Sequence, residues 1–460
     1  MKEIILGLMK DKAYDQLKKI LKYLAPRDLA DLLQELNEAG NKTDLMTLFR
    51  LLSKEMAAAV FVEMEPDLQE DLIRAYSDRE LRNILDELYL DDTVDLIEEM
   101  PANVVRRILK NTDADTRAKI NEILNYADDS AGSIMTVEYV ALKGGMTVAE
   151  SFQRIRRTGV NKETVYTCYV IGDDRRLLGV ISAKDLLLSD PEALVADKMI
   201  PNPISVTTDT DRETAVGLFE KYGFLALPVV DLEERLVGIV TVDDAMDVLR
   251  EETTEDIQKM AAITPTEKPY LKAGVFETWR HRIPWLLIMM VSATFTQIII
   301  SSFEGKLQAV AALTAFIPML MGTGGNCGSQ ASVSVIRSLS LDEIRPGDLW
   351  RVLWKEFRVA LVCGITLSGV CFLKILLLDR WILGASGIDV PVALTVSLAL
   401  GVTALIAKSA GCLLPLAAKR CGFDPAVMAA PFITTVVDAL ALLAYFCIAS
   451  LLLAGRFAAP

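Results

Sequence analysis

The C-terminal part of the chain contains five apolar segments long enough to cross a lipid bilayer, which takes about 20 residues of helix. Two of them hold no charged residue, and each of the other three is interrupted by a single ion: Lys374, Lys408 or Asp438. We therefore predict that residues 283–460 form an α-helical transmembrane domain of five helices. The segments are Ile283–Phe303, Leu307–Ile336, Val359–Leu378, Val390–Ala418 and Pro425–Gly455.

Charge is divided unevenly along the chain. Residues 1–270 contain 52 acidic and 33 basic residues, a net charge of −19, whereas residues 271–460 contain 10 acidic and 15 basic residues, a net charge of +5. An acidic, water-soluble part thus precedes an apolar, mildly basic part. This distribution excludes a disordered chain and a secreted disulfide scaffold. It also argues against a nucleic-acid partner, because phosphate contacts need a basic face.

The positions of lysine and arginine predict the orientation in the membrane. Cations precede the first apolar segment and fill the loops after the second and fourth segments, while the opposite loops hold few. Because cytosolic loops carry the excess of cations, the N-terminus is predicted to be cytosolic and the C-terminus to be outside. The predicted location is the cell (inner) membrane, with several crossings. Lys408 is expected either to pair with an acid or, as we favour, to extend toward the cytosolic end of its helix. No enzyme is expected, since the only histidine, His281, lies at the membrane edge.

Residues 1–130 contain short amphipathic helices. Apolar residues recur at three- and four-residue spacing over Leu29–Leu36, Ala57–Met64, Leu81–Leu88 and Val94–Met100, which is typical of helices with one buried face. The repetition of helix and break predicts an acidic, all-α superhelical domain. A plain helical bundle is the alternative.

An internal repeat occupies residues 135–255. Leu177–Ser182 matches Leu236–Thr241, 59 positions later, and each copy contains a strand, a charged turn, a strand and a helix. This order, used twice, resembles a tandem pair of CBS domains (a Bateman module) with an α/β fold, over residues 131–198 and 199–250. The signature Gly-apolar-apolar-Ser/Thr-x-x-Asp occurs as Gly179, Ser182 and Asp185 and as Gly238, Thr241 and Asp244.

The signature has two interpretations. In many CBS modules it binds an adenosine nucleotide, with the Asp accepting hydrogen bonds from the ribose hydroxyls. The alternative is that Asp185 and Asp244 only cap helices, which Asp does well. The candidate nucleotide-binding residues, with ATP as the candidate ligand, are Ser182, Asp185, Thr241 and Asp244.

An acidic segment joins the repeat to the membrane domain. Residues 251–282 are predicted to form an amphipathic linking helix, on which Glu251 and Glu255 lie one turn apart, as do Glu252 and Asp256. Like charges at this spacing cost a few tenths of a kcal/mol. A solvated helix face explains most such runs. The alternative is a divalent cation that relieves the repulsion and whose binding moves the first membrane segment.

Four glycines fall between positions 322 and 328 of the second membrane segment. Together with Pro318 they predict a broken helix whose free carbonyls face a pore, because irregular backbone in lipid must lie against protein or water. Asn326 and Gln330 would add amide oxygens. The alternative is that the small residues permit close helix packing, which does not account for Asn and Gln.

Asp438 is the only acidic residue in the fifth segment. A carboxylate in mid-membrane costs at least ~2.5–3.5 kcal/mol and usually marks an ion pathway. Thr434 precedes it by one helical turn, and Pro431 is predicted to free a carbonyl nearby. Such an oxygen-only site suits a hard cation such as Mg²⁺, which keeps several waters. Because one Asp per chain is sparse, two chains are expected to share one site.

The order of these parts is similar to that of the MgtE-type magnesium channel family, over essentially the whole chain. The most specific motifs are Pro318 followed by Gly324-Gly325-Asn326-x-Gly328-x-Gln330, and Asp424-Pro425…Pro431…Asp438. The resemblance implies a homodimeric Mg²⁺ channel in the lipid membrane, closed by high cytosolic Mg²⁺. It also implies a pore in which Asp438 holds hydrated Mg²⁺, with Asn326, Gly325, Gly328 and Thr434 nearby.

The same resemblance implies a set of acidic residues that bind regulatory Mg²⁺. They are Asp92 and Asp95 in the helical domain, Asp211, Glu213, Asp244 and Asp247 in the second CBS copy, Glu252, Glu255 and Asp256 on the linking helix, and Asp424 on the facing cytosolic loop. Gly223 and Ala430 stand where some relatives carry polar or acidic residues, which predicts the loss of one regulatory site and looser pore coordination. The alternative functions are a divalent-cation exchanger coupled to Na⁺ or H⁺, and a membrane-anchored nucleotide sensor without transport.

Overall fold

The computed structural model describes residues 2–266, 268, 270–341, 343–384, 387–428 and 430–457. The chain divides into two compact units, Met1–Arg250 and Glu251–Pro460. The first unit begins with a helical region and continues with an α/β module, and the second unit contains the long apolar helices.

The N-terminal region is all helical, as predicted. Its helices are α1 Lys2–Lys10, α2 Tyr14–Leu21, α3 Pro26–Glu38, α4 Lys42–Arg50, α5 Lys54–Val62, α6 Pro66–Ala75, α7 Asp78–Leu85, α8 Leu90–Glu99, α9 Ala102–Asn111 and α10 Ala114–Ile123. Most of them pack against the next helix or the next but one, as in a superhelix. Their apolar faces form one continuous core from Ile5 to Ile123. Pro26 and Pro66 begin α3 and α6, because the first turn of a helix needs no amide donor.

The α/β module contains two small sheets with helices against them. Its elements are β1 Val140–Lys143, α11 Val148–Thr158, β2 Thr167–Ile171, β3 Leu177–Ser182, α12 Ala183–Leu188, α13 Val195–Lys198, β4 Ile200–Pro201, β5 Val206–Thr207, α14 Arg212–Tyr222, β6 Ala226–Val230 and β7 Leu236–Thr241. One sheet has the order β1–β2–β3–β4 and the other β5–β6–β7. The first pair in each sheet is parallel and the other pairs are antiparallel. This is the predicted tandem CBS fold.

The two CBS copies exchange their first extended segments. The strand β4, at the start of the second copy, pairs with β3 of the first, and Thr136, at the start of the first copy, bridges Ile239 of the second. A Cβ atom on Gly179 or on Gly238 would lie 2.7 or 2.6 Å from a methionine sulfur of the exchanged segment. The close approach of this segment therefore requires both signature glycines.

The linking helix is shorter than predicted. The helix α15 extends over Val242–Met260, and the next helix begins only at Val275, so a single helix over residues 251–282 is wrong. Ala262 adopts a left-handed backbone with φ of 55°. Pro265 disfavours helical backbone at the residue before it and supplies no amide donor.

The second unit consists of long helices and short connecting turns. They are α16 Val275–Ser302, α17 Glu304–Ala309, α18 Ile317–Ser340, α19 Leu349–Lys374, α20 Val390–Arg420, α21 Ala430–Leu452 and α22 Ala454–Phe457. Among the described residues, four helical segments are long and apolar enough to cross a membrane: Val275–Ser302, Pro346–Ile382, Val390–Arg420 and Pro425–Leu452. The remaining long helix, α18, contains Gly, Ser, Asn and Gln residues that make it less apolar than these four. The count of five membrane crossings therefore stays a prediction.

The helix α20 lies at the centre of this unit and packs against α18, α19 and α21. Over half of its most apolar stretch is buried within the chain, whereas the corresponding stretch of α16 has no buried residue. The contact between α18 and α21, next to α20, is where the predicted pore residues lie.

The helix α19 continues as a π-helix over Ile375–Ile382. Its i→i+5 turn brings Lys374 and Asp379 together, with 2.7 Å between Nζ and Oδ2,. Asp379, which directly follows the third apolar segment of the sequence, is only 8% exposed. Asp438 is therefore not the only enclosed carboxylate of the membrane unit.

Candidate ion-binding sites

The glycine-rich segment lies inside α18, which is a continuous helix over Ile317–Ser340. The predicted break is therefore wrong. Pro318 lies in the first turn, where a missing amide frees no carbonyl. The carbonyls within the helix accept its own hydrogen bonds, so no break exposes them, and backbone ligation by Gly325 and Gly328 stays a prediction.

The glycines serve close helix packing instead. A Cβ atom on Gly325 would lie 2.9 Å from Cγ2 of Thr434 in α21, and one on Gly411 in α20 would overlap the carbonyl oxygen of Gly328. Any side chain at these contacts would push the helices apart. Gly325 and Gly328, predicted as pore ligands through their backbone, thus lie where α21 and α20 approach α18 most closely.

Asn326 and Asp438 lie at one level of the α18–α21 pair. A Cβ atom on Gly324 and one on Gly328 would each lie close to a methyl group of Val437, at 3.1 and 3.2 Å. Asn326 lies midway between these glycines, and Asp438 directly follows Val437. In the single chain Asn326 is exposed and Asp438 is half-buried. Among the described residues, the Asp438 carboxylate makes no hydrogen bond or ion pair.

Two threonines lie in the turn before Asp438. The hydroxyls of Thr434 and Thr435 both donate to the Pro431 carbonyl, at 2.9 and 3.1 Å. Pro431 is the second residue of α21, where a helix needs no amide donor, and the free carbonyl expected nearby stays a prediction. The Thr434 oxygen retains lone pairs that can accept a hydrogen bond from water.

Lys408 is buried, with 5% of its surface exposed, so the prediction that it extends to the cytosolic end is wrong. Its ammonium lies near the thiols of Cys327 in α18 and Cys412 in α20. Within the described part of the chain it makes no ion pair or hydrogen bond. Among the described residues the lysine therefore has no ion-pair partner, and it does not neutralise Asp438.

Carboxylates also gather in the first unit, where α8 meets the start of α15. Burial, together with repulsion from Asp244, raises the pKa of Asp92 to about 7 and raises the pKa of Asp91 well above its usual range. Burial and repulsion from Asp92 raise the pKa of Glu163, in the loop before β2, to about 8. Burial raises the pKa of Asp244 to about 6, although a hydrogen bond from Thr241 opposes this.

The structure brings together three residues that the sequence named here, Asp92, Asp95 and Asp244, and adds two that it missed. Asp91 directly precedes Asp92 in the first turn of α8. Glu163 is distant in sequence and approaches Asp92 only through the tertiary fold. Desolvation and repulsion from Asp244 and Asp92 raise the pKa of Asp95 to about 7. Asp247 is exposed. In the described part of the chain, no three Asp, Glu, His or Cys side chains are close enough to hold one metal ion. A divalent ion here would keep most of its water ligands.

The other named residues of the second CBS copy lie on or next to α14. The Asp211 carboxylate caps this helix by accepting from the Thr214 amide at 3.0 Å, and Glu213 lies in its first turn. Gly223 ends the helix with φ of 68°, a left-handed conformation that favours glycine. Backbone geometry thus accounts for Gly223, and the side chain of Ala430 lies outside the described part of the chain.

A third group of charges, here termed the linking cluster, consists of Glu252, Glu255 and Asp256 on α15, Lys259 one turn later, and Asp424 between α20 and α21. The Lys259 ammonium lies 2.6 Å from Glu255 Oε1 and 2.8 Å from Asp424 Oδ2. Burial, then repulsion from Asp424, raises the pKa of Asp256. The sequence analysis missed Lys259, although its spacing of four residues from Glu255 favours an ion pair.

The CBS signature residues form hydrogen bonds at helix starts. The Ser182 hydroxyl accepts from the Asp185 amide at 3.0 Å and donates to the Asp185 carboxylate at 2.6 Å. The capping residue is therefore Ser182, and not Asp185 as the alternative interpretation had it. The Thr241 hydroxyl likewise donates to the Asp244 carboxylate. Nucleotide binding by these residues stays a prediction.

Comparison with known proteins divides the chain into the same parts. Residues 24–129 match the family described as MgtE intracellular N domain, residues 131–191 and 195–251 match the CBS domain, and residues 317–448 match the family described as divalent cation transporter. The magnesium transporter MgtE of Thermus thermophilus is 38% identical over 441 residues, 95% of each chain. The magnesium transporter MgtE of Bacillus subtilis is 31% identical over 451 residues, 97% of this chain and 96% of the relative.

Solved structures are similar to the first half of the chain. A crystal structure of the cytosolic domain of the Mg²⁺ channel MgtE in complex with ATP is 38% identical, with a TM-score of 0.50, over 54% of this chain and 100% of that one. A crystal structure of the soluble part of a magnesium transporter is 30% identical, with a TM-score of 0.51, over 55% and 97%. Fold and matches together define a multidomain membrane protein of the class that transports divalent cations. The chain belongs to the MgtE family of magnesium transporters.

Proposed function

We propose that the protein is a Mg²⁺-selective channel that carries Mg²⁺ into the cell down its electrochemical gradient. The observation that carries this proposal is the Asp438 carboxylate, which has no partner among the described residues and lies in an apolar helix at the level of Asn326. A carboxylate in that position is costly unless an ion compensates it. Asp438 supplies the charge that attracts hydrated Mg²⁺, and the oxygens of Asn326 and Thr434 accept hydrogen bonds from its waters.

Two copies of the chain form the pore in this proposal. Asn326 and Gln330 lie one turn apart on α18 and are both exposed in the single chain. Amides facing lipid would lack partners, whereas a shared axial pore would solvate them and pair two Asp438 carboxylates with one divalent ion. Gly325 and Gly328 contribute by letting α21 and α20 approach α18, and backbone ligation by them stays a prediction.

Cytosolic Mg²⁺ closes the channel by bridging acidic side chains. Without the ion, burial and then repulsion from neighbouring carboxylates disfavour the charged forms of Asp92 and Asp244, and both pKa values are raised. Closure requires that Mg²⁺ bind the closed state more tightly than the open state, and carboxylates that meet only on closure supply this difference. The remaining proposed regulatory residues are Asp95, Asp211, Glu213, Asp247, Glu252, Glu255, Asp256 and Asp424.

The CBS module binds ATP in this proposal. Support comes from the similar cytosolic domain that was crystallised with ATP and from the hydroxyl–carboxylate pairs at Ser182–Asp185 and Thr241–Asp244. Titration of the purified protein with ATP, compared with the Asp185→Ala variant, tests this part separately from transport.

Reconstituted flux tests the main proposal. Purified protein in liposomes with a Mg²⁺-sensitive dye inside is exposed to external Mg²⁺ at a series of membrane potentials. The potential supplies about 2.3 kcal/mol per charge per 100 mV, so a channel gives uptake that rises with inside-negative potential and needs no Na⁺ or H⁺ gradient. Mg²⁺ on the cytosolic face should reduce it. Uptake that requires a counter-ion gradient would favour the exchanger, and no uptake would favour the nucleotide sensor.

A further inference from the structure

The ammonium of Lys259 occupies the centre of the linking cluster. It contacts Glu255 on its own helix and Asp424 on the turn between α20 and α21. The second oxygen of Asp424, Oδ1, accepts from the Ala426 amide at 2.8 Å, so this carboxylate is held in place. The side chains of Lys259, Glu255 and Asp424 are 25%, 32% and 34% exposed, and these contacts are less screened than those of a fully exposed pair.

Lys259 remains charged in this setting. Two carboxylate oxygens lie 2.6 and 2.8 Å from its ammonium, and opposite charges at this distance favour the charged form. Its charge offsets one of the four carboxylates of the linking cluster. The flexible four-carbon stem of a lysine lets the ammonium leave without a change in the backbone.

We propose that Lys259 is a tethered competitor of the regulatory Mg²⁺: its ammonium neutralises Glu255 and Asp424 when Mg²⁺ is scarce, and it must leave before a divalent ion binds them. A tethered group acts at a high local concentration, so it raises the Mg²⁺ concentration needed to fill the site. Lys259 thereby sets the concentration at which the linking helix responds. The inference rests on the proposed function, in which Mg²⁺ binds the linking cluster.

The test measures Mg²⁺ binding to the purified full-length protein. Its readout is the Mg²⁺ concentration that half-protects residues 261–274 from cleavage by a protease. This measurement does not require transport. Loss of two partly screened ion pairs should lower the half-protecting Mg²⁺ concentration about 2- to 10-fold in Lys259→Gln. Lys259→Arg keeps the cation and should stay near the wild-type value. Lys143→Gln is the matched control, because Lys143 pairs with Asp173 at 2.6 Å and lies outside the segment whose cleavage is measured.

A double-mutant comparison separates this inference from the proposed function. In an Asp424→Asn background, Lys259→Gln should have little further effect on the half-protecting concentration. An unchanged or higher concentration in Lys259→Gln, while Asp424→Asn weakens protection, would overturn the inference and leave the proposed Mg²⁺ site standing. If Asp424→Asn does not change the half-protecting concentration, Mg²⁺ binds elsewhere. That result would overturn both the inference about Lys259 and the proposed Mg²⁺ site in the linking cluster.

Discussion

Substitution of Gly411 by alanine should destabilise the membrane unit. The added Cβ atom would overlap the carbonyl oxygen of Gly328 and lie 3.1 Å from the Cβ atom of Ala331, so α18 and α20 would have to separate. Overpacking costs about 1–3 kcal/mol, and the higher helix propensity of alanine offsets up to about 1 kcal/mol of it. Because the overlap is with backbone, which cannot rotate away, we expect a net loss of about 2 kcal/mol.

Thermal unfolding of the full-length protein in detergent measures this effect. A loss of this size lowers the melting temperature by on the order of 5 °C. Gly369→Ala is the matched control, because Gly369 also lies within a long helix of the membrane unit, α19, and a Cβ atom there would meet no heavy atom within 4 Å. It should melt at the wild-type temperature or slightly above. Equal melting temperatures for the two variants would refute the conclusion that the glycines serve close packing.

Three further predictions concern buried charges and inhibition by Mg²⁺. Lys408→Met should stabilise the protein by about 1–3 kcal/mol in thermal unfolding, because it removes a buried charge that has no ion-pair partner among the described residues,. In Mg²⁺-free buffer, stability should fall as the pH rises from about 4 to 7, because folded Asp92, with a pKa of about 7, keeps a proton that the unfolded chain has lost. Millimolar Mg²⁺ should restore that stability above neutral pH, as measured by melting temperature. Deletion of residues 1–130 should leave a transporter that needs more Mg²⁺ for half-inhibition of uptake.

Each of these predictions has a contradicting outcome. A lower melting temperature of Lys408→Met would indicate that Lys408 has a stabilising partner. A melting temperature that rises between about pH 4 and 7 would reverse the sign expected for a buried carboxylate, and the Asp92→Asn variant should show a smaller pH dependence than the wild type. Unchanged inhibition after the deletion would place the Mg²⁺ sensor outside the helical domain.

The sequence predicts features that arise from local pattern. The three-residue and four-residue spacing of apolar residues predicts the N-terminal helices, and the repeat at 59 positions predicts the CBS pair. The long apolar stretches predict the end of α16 and both ends of α20 to within about two residues, although α16 begins earlier than predicted, at Val275. Each of these signals depends on residues that are neighbours along the chain. Composition and periodicity are therefore sufficient to predict these helices and the CBS pair.

The errors concern features that depend on contacts between distant segments. Glycine weakens an isolated helix, but α18 stays continuous because Thr434 and Gly411 pack against it at Gly325 and Gly328, and this contact outweighs propensity. The burial of Lys408 depends on where α18 and α19 pack around α20. The exchange of segments between CBS copies, and the approach of Glu163 to Asp92, likewise follow from the tertiary fold alone.

The central claim, that Asp438 holds the ion that passes through the membrane, is tested most directly by Mg²⁺ uptake into liposomes containing Asp438→Asn. This variant keeps the shape of the side chain and removes its charge. The control is Glu304→Gln, because Glu304 is an exposed acid of the same unit whose carboxylate accepts a hydrogen bond from the Gln308 amide. We expect the Asp438 variant to lose nearly all uptake while its elution on gel filtration matches that of the wild type, and the control to transport normally. Wild-type uptake by Asp438→Asn would contradict the account.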